Sequence, residues 1–215
     1  FDKMRKRITL HLNQRSEMLS GISHDLRTPL TRLKLQLAFL KQEDLAKKMS
    51  NDIEEMERML NEYLEFSRHQ KNEETEIVLL NQLIEEIVKQ YDKKRITFNS
   101  NEILKINMRP QSFRRCIANL IDNGLAYGKS IKISSNKVAN NVIILIDDNG
   151  PGIPENEYKN VMKPFYRIDE SRGQNKSGVG LGLSIANDII RSHGGQITLD
   201  KSPSSGLRVK ISLPL

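Results

Sequence analysis

The hydrophobic period of this chain changes once along its length, and that change restricts the fold more than any other feature. From about residue 1 to 70, apolar side chains recur at three- and four-residue steps: Leu19, Ile22, Leu26, Leu30, Leu33, Leu37 and Leu40, then Leu45, Met49, Ile53, Met56, Leu60 and Tyr63. Each series draws one stripe down a helix. This stretch holds a single glycine, Gly21, and a single proline, Pro29. Polar Lys41 to Asp44 permit a short turn between the stripes, which predicts an antiparallel helical hairpin. One hairpin cannot cover both stripes but two copies can, so the expected architecture is a homodimer built around a dimeric four-helix bundle.

The charged run HQKNEETE, residues 69 to 76, lacks an apolar period and reads as a linker. The expected organisation is a helical domain over 1–70, a linker at 71–76 and a second domain over 77–215. Beyond the linker, short strands alternate with helices. Strands are expected at 76–79, 95–99, 103–107, 131–135, 141–146, 196–200 and 207–213, and helices at 80–91, 110–125, 154–161 and 182–193. Together they predict an α+β sandwich, one mixed sheet with helices layered on one face.

Composition removes several alternatives. The net charge of +7 is dispersed and aromatics are 5% of 215 residues, a pattern that argues against direct nucleic-acid binding. A single cysteine, Cys116, excludes an internal disulfide and is expected to be a small buried apolar residue. Without a continuous apolar span, this stretch is expected to be soluble and cytoplasmic. The chain starts inside a helical pattern with no cap and no initiator methionine, so it is expected to be part of a longer protein.

Three segments of the second half point to a ligand. IDDNGPGI, residues 146–153, follows an apolar strand; Asp148 presents a carboxylate suited to an exocyclic amine, and Gly150 and Gly152 allow a tight turn. GVGLGLSIANDII, residues 178–190, opens a helix with Gly178, Gly180 and Gly182, whose bare backbone N–H groups suit phosphate. Its spacing matches neither the Walker loop nor the dinucleotide fingerprint. NLIDNGLAYG, residues 119–128, sets Asn119 and Asn123 on one helical face, where amide oxygens suit a magnesium ion that keeps several waters.

His24, in SHDLRTPL, points about 160° away from the stripe centred near Leu26 at about 100° per residue, and so faces out of the bundle. An exposed imidazole is largely neutral at neutral pH and has a lone pair free to attack phosphorus. Asp25 can hold the proton of the other ring nitrogen. Thr28 lies one turn on, on the same face, and Pro29 removes a backbone donor and should bend the helix just beyond.

In this order the segments resemble the N, G1 and G2 boxes of the Bergerat-type ATPase domain. VMKPFYRID, residues 161–169, resembles the F box between G1 and G2, and SHDLRTPL resembles the H box. The whole chain resembles the catalytic core of a bacterial two-component sensor histidine kinase, close to the EnvZ osmosensor branch that carries HDLRT.

The resemblance implies that Asp148 accepts the adenine amino group of ATP, that Gly150 and Gly152 let the base approach, and that Tyr127 covers it. Asn123 would be the principal Mg2+ ligand, with Asn119 on the phosphate side. Residues 166–177 would form a mobile lid, anchored by Phe165, with Arg167 offsetting phosphate charge. Gly178, Gly180 and Gly182, with Leu181 among them, would form the hinge and phosphate cradle. His24 would be phosphorylated from ATP and pass the group to an aspartate of a response-regulator receiver domain. Thr28 would orient the water that dephosphorylates that partner. Membrane attachment is implied only through upstream segments, with the parent in the bacterial inner membrane.

Alternatives are a phosphatase-dominant enzyme or a degenerate dimeric ATP-binding scaffold. The degenerate reading draws on Ala126, which stands where many members carry Lys or Arg.

Overall fold

The computed structural model describes residues 29–37, 45–47, 49–51, 53–54, 56–57, 73–100, 102–168 and 180–215. His24, Asp25, Thr28 and Gly178 lie outside the described residues, as do Leu40 and the stripe positions before 29 and after 57. The chain divides into two compact units, Phe1–Asn72 and Glu73–Leu215.

In the first unit, α1 (residues 29–37) and the described residues of α2 (45–57) are helical. Leu30, Leu37 and Ile53 form a buried cluster, and Lys34 Nζ lies 2.6 Å from Glu57 Oε2. Leu33, Leu45, Met49 and Met56, from the same two stripes, stay exposed. One chain buries only part of the apolar surface its sequence provides.

The second unit runs β1 (Glu76–Leu79), α3 (Leu80–Val88), β2 (Ile96–Ser100), β3 (Lys105–Met108), α4 (Pro110–Tyr127), β4 (Ile131–Val138), β5 (Asn141–Asp148), α5 (Gly182–Ser192), β6 (Gln196–Lys201) and β7 (Leu207–Pro214). Five strands form a mixed sheet in the order β2-β4-β5-β7-β6, parallel only between β2 and β4. β1 and β3 pair antiparallel in a separate two-stranded sheet.

Period-two alternation selects the covered face of the large sheet. Ile131, Ile133, Val142, Ile144, Ile146, Val209, Ile211 and Leu213 are buried, whereas their neighbours Lys132, Lys210 and Ser212 are not. Burying one such apolar side chain contributes about 1.5–3 kcal/mol, so this face supplies much of the driving force for the fold. The helices answer with helical spacing: Leu80, Leu83, Ile84 and Ile87 from α3, Phe113, Cys116, Ile117, Leu120 and Ile121 from α4, and Ile185, Ala186, Ile189 and Ile190 from α5. Cys116 is fully buried, its thiol 3.8 Å from the Ala186 carbonyl, and burial pushes its pKa up.

The helix expected at 154–161 is instead a 3-10 turn, Glu155–Glu157, followed by further turns. Its bonds are mostly short: Glu157 N–H donates to Pro154 O, Tyr158 N–H to Glu155 O and Asn160 N–H to Glu157 O. Only Val161 is buried in this stretch, so no apolar face exists to reward helix propagation. α3 stops at Val88, three residues short of the expected end, as Gln90 and Tyr91 close tighter bonds to Ile87 O and Val88 O. Tyr91 instead reaches across to Asp122; its hydroxyl pKa is raised by burial and by that carboxylate.

The N-terminus of α4 ties several elements together. Glu73 accepts hydrogen bonds from Gln111 N–H (2.5 Å), Ser112 N–H (2.9 Å) and Ser112 Oγ (2.6 Å), capping the helix with a carboxylate. Residues 73–76 of the expected linker therefore pack with the second unit. From the far end of α5, His193 Nδ1 faces the Ile189 carbonyl at 2.8 Å, and its Nε2 accepts from Arg109 N–H at 3.0 Å. This pairing needs a neutral ring with the proton on Nδ1. Burial lowers the His193 pKa below its ordinary value, and nearby Arg109 adds to the effect.

A histidine with a depressed folded pKa contributes stability that is complete above its unfolded value of about 6.5 and is lost as pH falls through the folded pKa. Urea midpoints should therefore fall between pH 7.5 and pH 5.5 by more in the wild type than in His193→Gln. Equal falls in the two proteins would contradict this role.

Candidate functional site

A cavity of about 420 Å³ opens where the C-terminal half of α4, the end of β5 and the start of α5 converge. α4 contributes Asn123 and Tyr127, β5 contributes Asp148, and the segments on either side of residues 169–179 contribute Arg167 and Gly180. Ile153, Val161, Leu183 and Leu207 add an apolar wall. A cavity with an apolar wall and a few fixed polar groups suits a heterocyclic ligand.

Asp148 is 7% exposed and held by main-chain donors. Its Oδ1 accepts from Gly150 N–H at 2.8 Å and from Leu207 N–H at 3.1 Å. That leaves Oδ2 as the oxygen for an outside donor. The neighbouring side chains have structural work: Asp147 makes a two-pronged pair with Arg208 at 2.6 and 2.8 Å, and Asn149 Oδ1 accepts from Lys129 and Ser130 N–H. Arg95 caps the C-terminal carbonyls of α4 at Leu125 and Gly128. These bonds hold the Tyr127 end of α4 against the end of β5.

Asn119 lies one turn before Asn123, beside the start of α5, where a Cβ placed on Gly182 would stand 3.6 Å from Asn119 O. Its Nδ2 is buried and has no hydrogen-bond partner among the described residues. An unpaired buried amide is costly, so its environment favours a polar ligand. Among the described residues no side chain caps the start of α5, which leaves its first N–H groups for an anion. The residues thus fit a phosphate and its metal ion: two amides a turn apart, one of them orphaned, facing an uncapped helix start.

Gly180 has φ +75°, and a Cβ there would lie 2.9 Å from the Tyr166 carbonyl oxygen. The close approach lets Phe165 N–H donate to Gly180 O at 3.0 Å, which fastens the two ends of segment 166–179 together. Phe165 itself takes φ +64° and is 54% exposed, and this main-chain bond ties it to the start of α5. Tyr166 adds a side-chain tie, its hydroxyl 2.6 Å from Glu157 Oε2. That bond lowers the Glu157 pKa and raises that of Tyr166. Gly180→Ala would force a left-handed non-glycine conformation, at about 1–2 kcal/mol, against a backbone oxygen. It should weaken nucleotide binding about tenfold, measured by calorimetry. Unchanged affinity would show that the clasp does not support the site.

Of the sequence-derived positions, Asn123, Tyr127, Asp148, Gly152, Arg167 and Gly180 share the cavity. Gly150 sits behind Asp148, Leu181 is buried at the N-cap of α5, and Asn119, Phe165 and Gly182 border the site without lining it. The sequence reading missed Leu207, which gives a main-chain N–H as well as part of the apolar wall, and Gly206, whose Cβ would overlap Asp148. The single clue was a glycine closing the turn before the last strand.

Comparison with known proteins accounts for this arrangement. Residues 108–215 match the family of histidine kinase-, DNA gyrase B- and HSP90-like ATPases, and residues 14–72 match the His kinase A phospho-acceptor domain. The chain belongs to that ATPase family, and a phospho-acceptor domain ahead of the ATPase makes it the catalytic core of a two-component sensor histidine kinase. It is 37% identical over its whole length to the sensor histidine kinase GtrS of Pseudomonas aeruginosa, spanning 45% of that relative. Among solved structures, the histidine kinase domain of the E. coli osmosensor EnvZ matches 67% of the chain and 91% of its own length, at TM-score 0.53 and 31% identity. Full-length ShkA in complex with AMPPNP matches 92% of the chain and 45% of its own length, at TM-score 0.70; at 17% identity it speaks to the fold alone. No helix among the described residues is long and apolar enough to cross a membrane.

Proposed function

We propose that the chain binds ATP in the second unit and uses it to phosphorylate His24 in the first, then transfers the phosphoryl group to an aspartate of a response-regulator receiver domain. The observation that carries this reading is that one cavity gathers Asn123, Tyr127, Asp148, Arg167 and Gly180, from four separate sequence segments, beside an apolar wall.

Asp148 Oδ2 receives the exocyclic amine of adenine, and the apolar wall holds the ring. Asn119 and the first N–H groups of α5 receive phosphate oxygens, and Arg167 offsets their charge. Asn123 would hold Mg2+ through its amide oxygen, and the ion would supply charge neutralisation for the phosphates. A ring nitrogen of His24 attacks the γ-phosphorus, the bond to the ADP bridging oxygen breaks, and a P–N bond forms. Asp25 keeps the other ring proton in place and balances the growing positive charge. The exposed Leu33, Leu45, Met49 and Met56 support a homodimer, because a second copy would cover them. Attachment of the full protein to the inner membrane belongs to the same reading, with this core on the cytoplasmic side.

Thr28 is assigned to the reverse function, orienting water against the phosphorylated receiver. Thr28→Ala should keep labelling from γ-labelled ATP near the wild-type level and lose most of the acceleration of receiver dephosphorylation. Receiver decay unchanged from wild type would reject the assignment.

A further inference from the structure

The turn between β6 and β7 sits closer to Asp148 than any side chain would permit. A Cβ on Gly206 would stand 2.1 Å from Asp148 Oδ1, 2.3 Å from its main-chain oxygen and 2.7 Å from its carbonyl carbon. Real Cβ atoms do not approach other heavy atoms so closely. The turn is itself internally bonded. Ser202 N–H donates to Gly206 O at 2.9 Å, Ser205 N–H to Ser202 O at 3.0 Å, and Ser205 takes φ +71°. It also abuts the loop after β5, with the Ser205 and Gly206 carbonyl oxygens each 3.3 Å from where a Cβ of Gly152 would lie. As a result the next residue, Leu207, delivers its N–H to Asp148 Oδ1 and its side chain to the cavity wall.

We propose that Gly206 and the Leu207 N–H form the positioning device that makes this pocket select a 6-amino over a 6-oxo purine. The inference rests on the ATP reading above and adds the source of its base specificity. With Oδ1 held from two sides, by Gly150 and Leu207, the carboxylate cannot rotate, and Oδ2 is offered as a fixed acceptor. An exocyclic amine donates to it. A 6-oxo group presents lone pairs to the same anion and is repelled. A carboxylate free to turn away would lose both effects.

The test compares ATP with inosine triphosphate on the full chain by calorimetry, in magnesium. The wild type should prefer ATP on the order of a hundredfold or more. Gly206→Ala should weaken ATP about tenfold or more while moving inosine triphosphate less than about twofold, so the preference collapses. A purely structural loosening would weaken both alike, and that result would overturn the proposal. Asp148→Asn separates the two layers. If the preference for ATP survives in Asp148→Asn, the adenine reading of the site fails. If it collapses there but persists in Gly206→Ala, only the positioning role fails. Should Gly206→Ala not fold, amide hydrogen exchange in the unaltered chain decides: ATP should protect the Leu207 N–H more than inosine triphosphate does, and equal protection would overturn the proposal.

Discussion

His24→Ala should abolish phosphate incorporation from γ-labelled ATP while leaving nucleotide affinity within about twofold of wild type. The proposed nucleophile and the pocket belong to separate compact units, Phe1–Asn72 and Glu73–Leu215. Asp148, Asn123 and the start of α5 all lie in the second, so removing an imidazole from the first leaves them intact. Covalent capture by a side chain cannot be replaced by methyl, and the loss of labelling should exceed a thousandfold, on the order expected for removal of a nucleophile. Labelling that persists at the wild-type level would place the acceptor elsewhere.

Asp148→Asn should weaken ATP binding by about 10- to 150-fold, equivalent to about 1.5–3 kcal/mol for a hydrogen bond to a charged group. The amide can keep the Oδ1 acceptor role toward Gly150 and Leu207 N–H, so the β5 end should stay folded. At the second position, however, an NH2 group would face the adenine amine, donor against donor. Thermal midpoints without nucleotide should change little while the stabilisation by added ATP shrinks. Affinity within twofold of wild type would mean that another group reads the base.

The sequence was most legible where burial is decided by periodicity. Continuous apolar character in β5 and i, i+3, i+4 spacing in α3, α4 and α5 placed those elements to within a few residues, since side-chain pattern and core face are the same information there. Residues 154–161 misled because their charged side chains permit a helix, whereas formation also needs an apolar face to bury. The separate pairing of β1 with β3 was equally hidden, because strands of four residues carry too little alternation to name a partner.

At the site, residues proposed to act through side chains were visible in the sequence, and Asp148, Asn123, Tyr127 and Arg167 all line the cavity. Two of those that act through main chain or through the lack of a side chain were not. Leu207 contributes an N–H and Gly206 an absence. Glu73 read as linker charge, yet its carboxylate caps α4, a role set by a partner 39 residues away in sequence.

The most direct test of a nucleophile on one unit served by a nucleotide pocket on the other is the chemistry of the phosphorylated product. The unaltered chain, incubated with γ-labelled ATP and magnesium, should carry a label that is lost in acid, survives alkali and maps to the peptide containing His24. An acid-stable label, or ATP binding with no label at all, would contradict the account.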